Sequence, residues 1–381
     1  MKILDYVKNL IENSTPEAPA WNLEVTMLKK ETKWNYIDGC MMKAAMDIYY
    51  ATKDKYYFDF VKGYIDYFVR PDGSILGYEV EEYNCDQVNM GKVLFDLYEH
   101  TGEEKYEKAI KLIKSQLDSH PRIPAGNYWH KLNYPHQVWL DGLYMVQPFY
   151  AMYETTFGDG SGIEDIVKQF DFVFDTMLDK KTGLYYHGYD DSKSLDWADT
   201  TTGLSPNFWS RSIGWFAMAM ADTAEIIGPA YFYKQFQCLM DSLLKVQDSE
   251  TKLFYQVTNM GHKEGNYLET SGSAAIAYAF MKGSLNGLLP IPYFNYGHAI
   301  FDSLIKHKLD IEKFVLKDIC LVAGLGGMPG HGDYKDRDGT FEYYISEPKV
   351  NNDAKGLAPF LFTFGQLLCK YLNQGVSLEC Y

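Results

Sequence analysis

Asp179-Lys-Lys-Thr-Gly-Leu-Tyr-Tyr-His187 lies between two stretches whose apolar residues recur at helical spacing, and near-copies of it are found elsewhere in the chain. They are Arg70-Pro-Asp-Gly-Ser-Ile-Leu-Gly-Tyr78, Asp248-Ser-Glu-Thr-Lys-Leu-Phe-Tyr-Gln256 and Asp336-Arg-Asp-Gly-Thr-Phe-Glu-Tyr-Tyr344. Each reads as a polar turn followed by a short extended aromatic piece. The flanking windows read as amphipathic helices: Ile37 to Ile48, Val88 to Tyr98, Tyr106 to Leu117, Leu143 to Tyr153, Ile163 to Met177 and Ser212 to Ile227. Tyr231 to Val246, Ser271 to Met281, Phe294 to Lys306 and Leu357 to Leu372 bring the total to roughly a dozen. Repeated helical hairpins bury their faces on their neighbours, and closing them into a ring removes the exposed ends of an open stack. The expected fold is an all-α (α/α)6 barrel with short turn-and-strand elements, and an open helical solenoid is the alternative.

High apolar content throughout, with no Pro/Gly/Ser linker, predicts one catalytic domain spanning residues 1–381. Residues 1–19 carry Asp5, Lys8, Glu12 and Glu17 and hold no signal-peptide core, and no later stretch is long enough to span a bilayer. A cytoplasmic protein is expected. Cys40, Cys85, Cys238, Cys320, Cys369 and Cys380 show no CxxC pairing or zinc spacing, so reduced thiols are expected, with no metal and no cofactor. A net charge of -15 argues against nucleic acid or an anionic membrane as partner. Any anionic ligand must be held by a few local cations, and the oligomeric state is open. The aromatic share of 16% suits walls that stack on sugar rings, although an aromatic-rich core would use the same residues.

Two aspartates stand at comparable places, Asp86 in Tyr83-Asn-Cys-Asp-Gln-Val-Asn-Met-Gly91 and Asp141 in His136-Gln-Val-Trp-Leu-Asp-Gly-Leu-Tyr-Met145. Each opens a helical pattern, where aspartate is also an ordinary N-cap. Trp129, His130, Lys131 and Trp139 crowd the approach to Asp141, side chains that a cap does not need. In a toroid the amino ends of the inner helices gather at one mouth, which would bring the two carboxylates together as an acid/base pair. A helix N-terminus favours the ionised carboxylate, whereas burial beneath Trp139 and repulsion from Asp86 favour the protonated acid. A raised pKa on Asp141 is the expectation.

Arg211 lies between Trp209 and Trp215 in Ser205-Pro-Asn-Phe-Trp-Ser-Arg-Ser-Ile-Gly-Trp-Phe216, a setting suited to a carboxylate or a stacked sugar, or to an interhelical ion pair. His187 could carry a proton, hydrogen-bond a substrate hydroxyl or serve as a structural polar group. Gly324-Leu-Gly-Gly-Met-Pro-Gly-His-Gly332 lacks the ending of a phosphate loop and reads as a rim loop. No HExxH, GxSxG or zinc pattern occurs, which disfavours metalloprotease and serine hydrolase chemistry.

Taken together, Asn84-Cys-Asp86, Trp129-His-Lys131, Val138-Trp-Leu-Asp-Gly-Leu-Tyr-Met145, His187-Gly-Tyr189, Phe208-Trp-Ser-Arg-Ser-Ile-Gly-Trp215 and Glu269-Thr-Ser-Gly-Ser273 resemble the unsaturated rhamnogalacturonyl hydrolases of glycoside hydrolase family 105. The related unsaturated glucuronyl hydrolases of family 88 share the plan. The likeness runs from about Trp34 to Asn352-Asp-Ala-Lys-Gly-Leu-Ala-Pro-Phe360, with Trp34-Asn-Tyr36 matching only loosely. It implies an (α/α)6 barrel that removes a terminal 4,5-unsaturated galacturonate from rhamnogalacturonan-derived oligosaccharides by vinyl-ether hydration. It also implies Asp141 as proton donor to C4, Asp86 as its partner and His187 as an aid in proton handling. Arg211, Lys131 and His130 would then supply positive potential, while Trp139, Met145, Trp209 and Trp215 line the ring site. A sugar epimerase on the same barrel would be expected to use a histidine pair, and a non-catalytic carbohydrate binder would tolerate Asp141→Asn. A peptide-cyclising toroid would require a Cys/His zinc site.

Overall fold

The computed structural model describes residues 2–326 and 337–372. Among these, six helical segments form a closed inner ring: Tyr36–Thr52, the run Cys85–Val88, Asn89–Gly91 and Lys92–Thr101, then Leu140–Thr156, Ser210–Ile227, Thr270–Leu285 and Ala354–Leu372. Each packs on the next, and the last packs back on the first. Five outer helices, Lys55–Phe68, Glu104–Ser119, Ile163–Thr176, Tyr233–Val246 and Phe294–Lys308, follow the inner ones in the chain. The outer partner of the last inner helix is the first helix, Lys2–Glu12, whose Val7, Leu10 and Ile11 border a small void with Met41, Ala45, Phe60 and Leu361. The two ends of the chain thus close the ring, and the architecture is an (α/α)6 barrel.

Residue type separates the layers. Thr270–Leu285 is rich in Ala, Ser and Gly and is buried around most of its circumference, as an inner helix must be. Lys55–Phe68 buries Tyr57, Phe58, Val61, Tyr64, Ile65 and Phe68 on one face, the stripe of an outer helix. Small residues also let inner helices approach closely. A Cβ on Gly272 would lie 2.7 Å from the Ser210 carbonyl carbon, whereas one on Gly63 would meet nothing within 4 Å. Gly63→Ala is therefore expected to gain up to about 1 kcal/mol from helix propensity, while Gly272→Ala loses roughly 1–3 kcal/mol to overpacking. Urea unfolding of both variants checks this, and equal shifts would contradict the close approach.

The helix expectations hold with three differences. The Val88 to Tyr98 window is split by the 3-10 turn Asn89–Gly91. Lys2–Glu12 and Lys55–Phe68 are additional helices, the second masked in the sequence by seven aromatic residues of strand preference. The recurring turns form as read at three places, with bridges Val69 to Ile75 and Leu178 to Tyr185 and the pairing of Phe254–Tyr255 with Leu268–Glu269. Asp179 and Asp248 each accept from the backbone N–H and hydroxyl of the threonine three residues on. Asp199 and Thr202 make the same turn in a copy that the sequence reading passed over. The fourth copy is corrected. Asp336 lies outside the described residues, and Phe341–Ser346 is a helix because Thr340 Oγ1 caps the Tyr343 N–H at 3.1 Å. Gly327–Gly332 of the glycine-rich stretch and Cys380 also lie outside the described residues.

Candidate active site

The amino ends of the inner helices meet at one end of the barrel. First-turn residues Tyr36, Asp86, Asp141 and Arg211, each from a different inner helix, line a single cleft of about 1070 Å³. His130, Lys131, Trp139, Met145, Trp209 and Trp215 line it as well. His187 is the exception among the expected site residues: it is fully buried behind the cleft wall.

Neither aspartate caps its helix. Asn84 accepts from the Asp86 N–H at 3.0 Å, and the N-cap position before Asp141 is Trp139, whose side chain makes no cap bond. Both carboxylates are thereby left to the cleft. Asp86 Oδ2 lies 2.5 Å from Lys131 Nζ, and its Oδ1 lies 3.6 Å from His130 Nε2. Asp141 Oδ2 lies 3.4 Å from His187 Nε2, and alignment leaves both atoms without a formed hydrogen bond. Behind the imidazole, His187 Nδ1 is 2.7 Å from the Tyr344 hydroxyl. Burial holds the Tyr344 hydroxyl far above its ordinary pKa, so it stays protonated and donates to Nδ1. Nε2 then carries the hydrogen that faces Asp141, an assignment made from the bonding partners.

The expected raised pKa of Asp141 is corrected. Burial pushes it up, as foreseen, but the facing Nε2–H edge of His187, with the Arg211 guanidinium further out, outweighs it and holds the carboxyl below its ordinary value. Asp86 supplies little repulsion because Lys131 sits directly on it. Lys131 in turn is held well above its usual pKa, since the attraction of Asp86 and neighbouring groups overcomes the penalty of burial.

The expectation that His130 provides positive potential is also corrected. Burial depresses its pKa to about 4, so the ring is neutral except in acid. It forms part of an aromatic wall instead, stacked 4.4 Å from Trp139, which stacks 4.9 Å from Tyr134. His120, buried behind Trp129, is likewise lowered to about 4 by burial. In the unfolded chain both rings protonate near pH 6.5, so stability is full above that pH and falls as the pH drops towards 4. A loss of roughly 3 kcal/mol per histidine is expected over that window. Urea midpoints measured against pH should show it, and His130→Gln should lose about half of the slope.

Arg211 is buried and stacked 4.5 Å over Trp209. It donates to Ser271 Oγ at 3.3 Å and to the Cys320 carbonyl. Glu269 caps the Thr270–Leu285 helix through the Ser271 and Gly272 N–H groups and accepts from Ser271 Oγ at 2.7 Å. The guanidinium is thus fixed by the frame while its edge reaches the cleft. Trp215, one turn on, stacks 4.8 Å from Tyr144.

Residues that the sequence reading left aside also line the cleft. Trp34, Asn35 and Tyr36 belong to it, so the loosely matching stretch is part of the site. Trp34 donates its indole N–H to the Gln87 carbonyl at 2.9 Å. Tyr134, Leu321, Val322, Ala323 and Arg337 were not foreseen, whereas Gly324 opens the stretch read as a rim loop. Tyr344 was visible only as the end of a turn motif. Trp129 does not line the cleft; its ring packs 4.7 Å from His136. The cleft can hold a ring between aromatic faces, with one carboxylate that has no salt bridge to lysine or arginine among the described residues and another neutralised by lysine.

Comparison with known proteins agrees with this fold. The model for Glycosyl Hydrolase Family 88 matches residues 10–369. A solved family 105 glycoside hydrolase from Clostridium acetobutylicum superposes with a TM-score of 0.87 at 41% identity, covering 96% of this chain and 99% of that one. Protein Atu3128 of Agrobacterium fabrum is 34% identical over 232 residues, 58% of this chain and 97% of its own length. The unsaturated rhamnogalacturonyl hydrolase YesR of Bacillus subtilis is 27% identical over 259 residues, 65% of this chain and 70% of its own. With the barrel, the cleft and a match to nearly the whole chain in agreement, the protein belongs to glycosyl hydrolase family 88, with family 105 as its structural kin, and is a glycoside hydrolase.

Proposed function

We propose that this hydrolase releases the terminal 4,5-unsaturated galacturonate from rhamnogalacturonan-derived oligosaccharides, with Asp141 as the proton donor and Asp86 and His187 in support. The observation that carries the reading is the setting of Asp141: a cleft carboxylate beside Trp139, with an oxygen that has no formed hydrogen bond and a buried His187–Tyr344 pair behind it. Asp141 protonates C4 of the vinyl ether, and positive charge develops at C5 and on the ring oxygen. Its carboxylate then accepts a proton from the water that adds at C5. The resulting hemiketal opens by breaking the C5–ring oxygen bond, and the hemiacetal left at C1 expels the remaining sugar chain. No attack at the anomeric carbon is needed, so the spacing rule for retaining and inverting enzymes does not apply.

Asp141 is ionised in the free protein, so the proton has to arrive with the substrate. The substrate's own carboxylate brings a like charge beside Asp141 and raises its pKa, which makes binding proton-linked. Arg211 and Lys131 supply the local positive charge, Asp86 binds hydroxyls, and Trp139, Met145, Trp209 and Trp215 with the neutral His130 wall the ring. The chain acts as one catalytic domain, since one buried cluster runs from Ile3 to Leu368. A cytoplasmic location suits the five free described cysteines.

Because His187 is the main group holding Asp141 low, His187→Gln should raise the Asp141 pKa. The alkaline limb of kcat/KM is expected to move to higher pH even as the absolute rate falls roughly 10- to 100-fold. An unmoved limb would remove His187 from that role. The reading as a whole is tested by following the ultraviolet absorbance of the conjugated double bond in unsaturated rhamnogalacturonan disaccharide. Loss of absorbance supports it, whereas turnover of an unsaturated glucuronide alone would reassign the substrate. Survival of both would contradict the chemistry.

A further inference from the structure

Resting on that reading, we infer that the cleft has a second uronate-binding subsite on the arm formed by residues 22–35, where Lys30 and Lys33 receive the carboxylate of an internal galacturonate. The enzyme is therefore built for oligosaccharides longer than a disaccharide. The cleft is not confined to the ring site: its lining continues onto Glu24, Leu28, Lys30, Glu31 and Lys33. Side-chain exposure traces a path outward, from 14% for Asp141 and 23% for Lys131 to 50% for Lys33 and 59% for Lys30. Lys33 stands 3.5 Å from Glu82, which accepts from Gln87, the residue following Asp86. The arm therefore continues directly from the Asp86–Lys131 pair.

The arm is held in place before any ligand arrives. Trp21 Nε1, Asn22 Nδ2 and Asn35 Nδ2 all donate to the buried Asp38 carboxylate, at 2.9, 3.1 and 2.8 Å, and Trp34 is tied to the Gln87 carbonyl. Both ends of the segment are pinned to the inner ring, so little ordering cost attends binding. Lys30 is paired with Glu24 at 2.7 Å, but Glu24 also has Lys355 at 3.7 Å. Glu24 is the better-buried partner, whereas the Lys30 side chain is 59% exposed, so the lysine gains little from the pair and exchanges partners readily. Glu24 and Glu31, which also line the cleft, are the opposing charges, set against Lys29, Lys30 and Lys33 on the same arm.

The chemistry of the polymer matches this placement of positive charge outward of the ring site. A rhamnogalacturonan backbone alternates uronate with neutral deoxysugar. With the unsaturated uronate at Asp141, the next ring is uncharged and the third presents a carboxylate towards the mouth. On a chain of net charge -15, lysines at that place are the local cations such a ligand requires.

The test compares kcat/KM for the unsaturated disaccharide and tetrasaccharide in wild type and in the Lys30→Gln/Lys33→Gln double variant. Wild type is expected to favour the tetrasaccharide roughly five- to tenfold, with the preference shrinking as sodium chloride is added, and the ratio to fall to about one in the variant. A tetrasaccharide whose internal carboxyl has been reduced to an alcohol should behave as the disaccharide does. Equal turnover of both substrates by wild type, or a ratio unchanged in the double variant, would overturn the subsite while leaving the reading of the ring site intact. Failure of wild type on both substrates would overturn that reading and this one with it.

Discussion

Asp141→Asn is expected to lower kcat on the unsaturated disaccharide by roughly 10³-fold or more while leaving the fold and the binding site in place. Asparagine preserves the shape but can neither deliver a proton to C4 nor accept one from water, so both halves of the reaction lose their agent. Among the described residues the carboxyl is paired with no lysine or arginine, and it faces His187 at 3.4 Å, so the change should not unfold the protein. Removing a negative charge from a cleft that takes an anionic sugar should, if anything, tighten binding. Quenching of the wall tryptophans during titration, together with single-turnover rates, separates the two effects. A variant that retained a tenth of the wild-type rate would place the proton donor elsewhere.

Arg211→Met should act on stability and activity together, with a loss of roughly 2–4 kcal/mol in urea unfolding. Methionine retains much of the stem's packing, but the Cys320 carbonyl loses a charged donor and Trp209 loses the cation over its face. Glu269 remains satisfied by the Ser271, Gly272 and Cys320 N–H groups, which keeps the cost below that of an orphaned buried carboxylate. KM should rise because the local cation is gone. Lysine should not rescue the variant, since a flexible ammonium reproduces neither the fixed direction of the Nη1 donors nor the planar stack on Trp209. Wild-type stability in Arg211→Met would show that the guanidinium has no part in the frame.

Much of the barrel was legible because helical periodicity and a repeated turn are local signals. Thr182 and Thr251 bond back to Asp179 and Asp248 within three residues, so the turn is written in the sequence that forms it. The first helix was not recognised, although Ile3, Tyr6, Val7, Leu10 and Ile11 have helical spacing; its partners, Met41 and Leu361 among them, are remote in sequence. At the site, residue identity was readable and electrostatics were not. Asp141 carried its own signal, but its pKa is decided by His187, 46 positions away, which is fixed in turn by Tyr344 from near the other end of the chain. His130 looked like a cation in the sequence and becomes a neutral wall only once burial is known. Trp34 to Tyr36 gained weight for the same reason, because the cleft is assembled from the amino ends of different helices.

The most direct test is to run the reaction with the unsaturated rhamnogalacturonan disaccharide in deuterium oxide and follow the first turnovers by proton NMR. Protonation of C4 by Asp141 should place one deuteron at C4 of the released uronate, with the olefinic signal lost in step with cleavage and neither change seen with Asp141→Asn. A released uronate that still carries its olefinic C4 proton would show that cleavage occurred at the glycosidic bond itself, and would contradict vinyl-ether hydration.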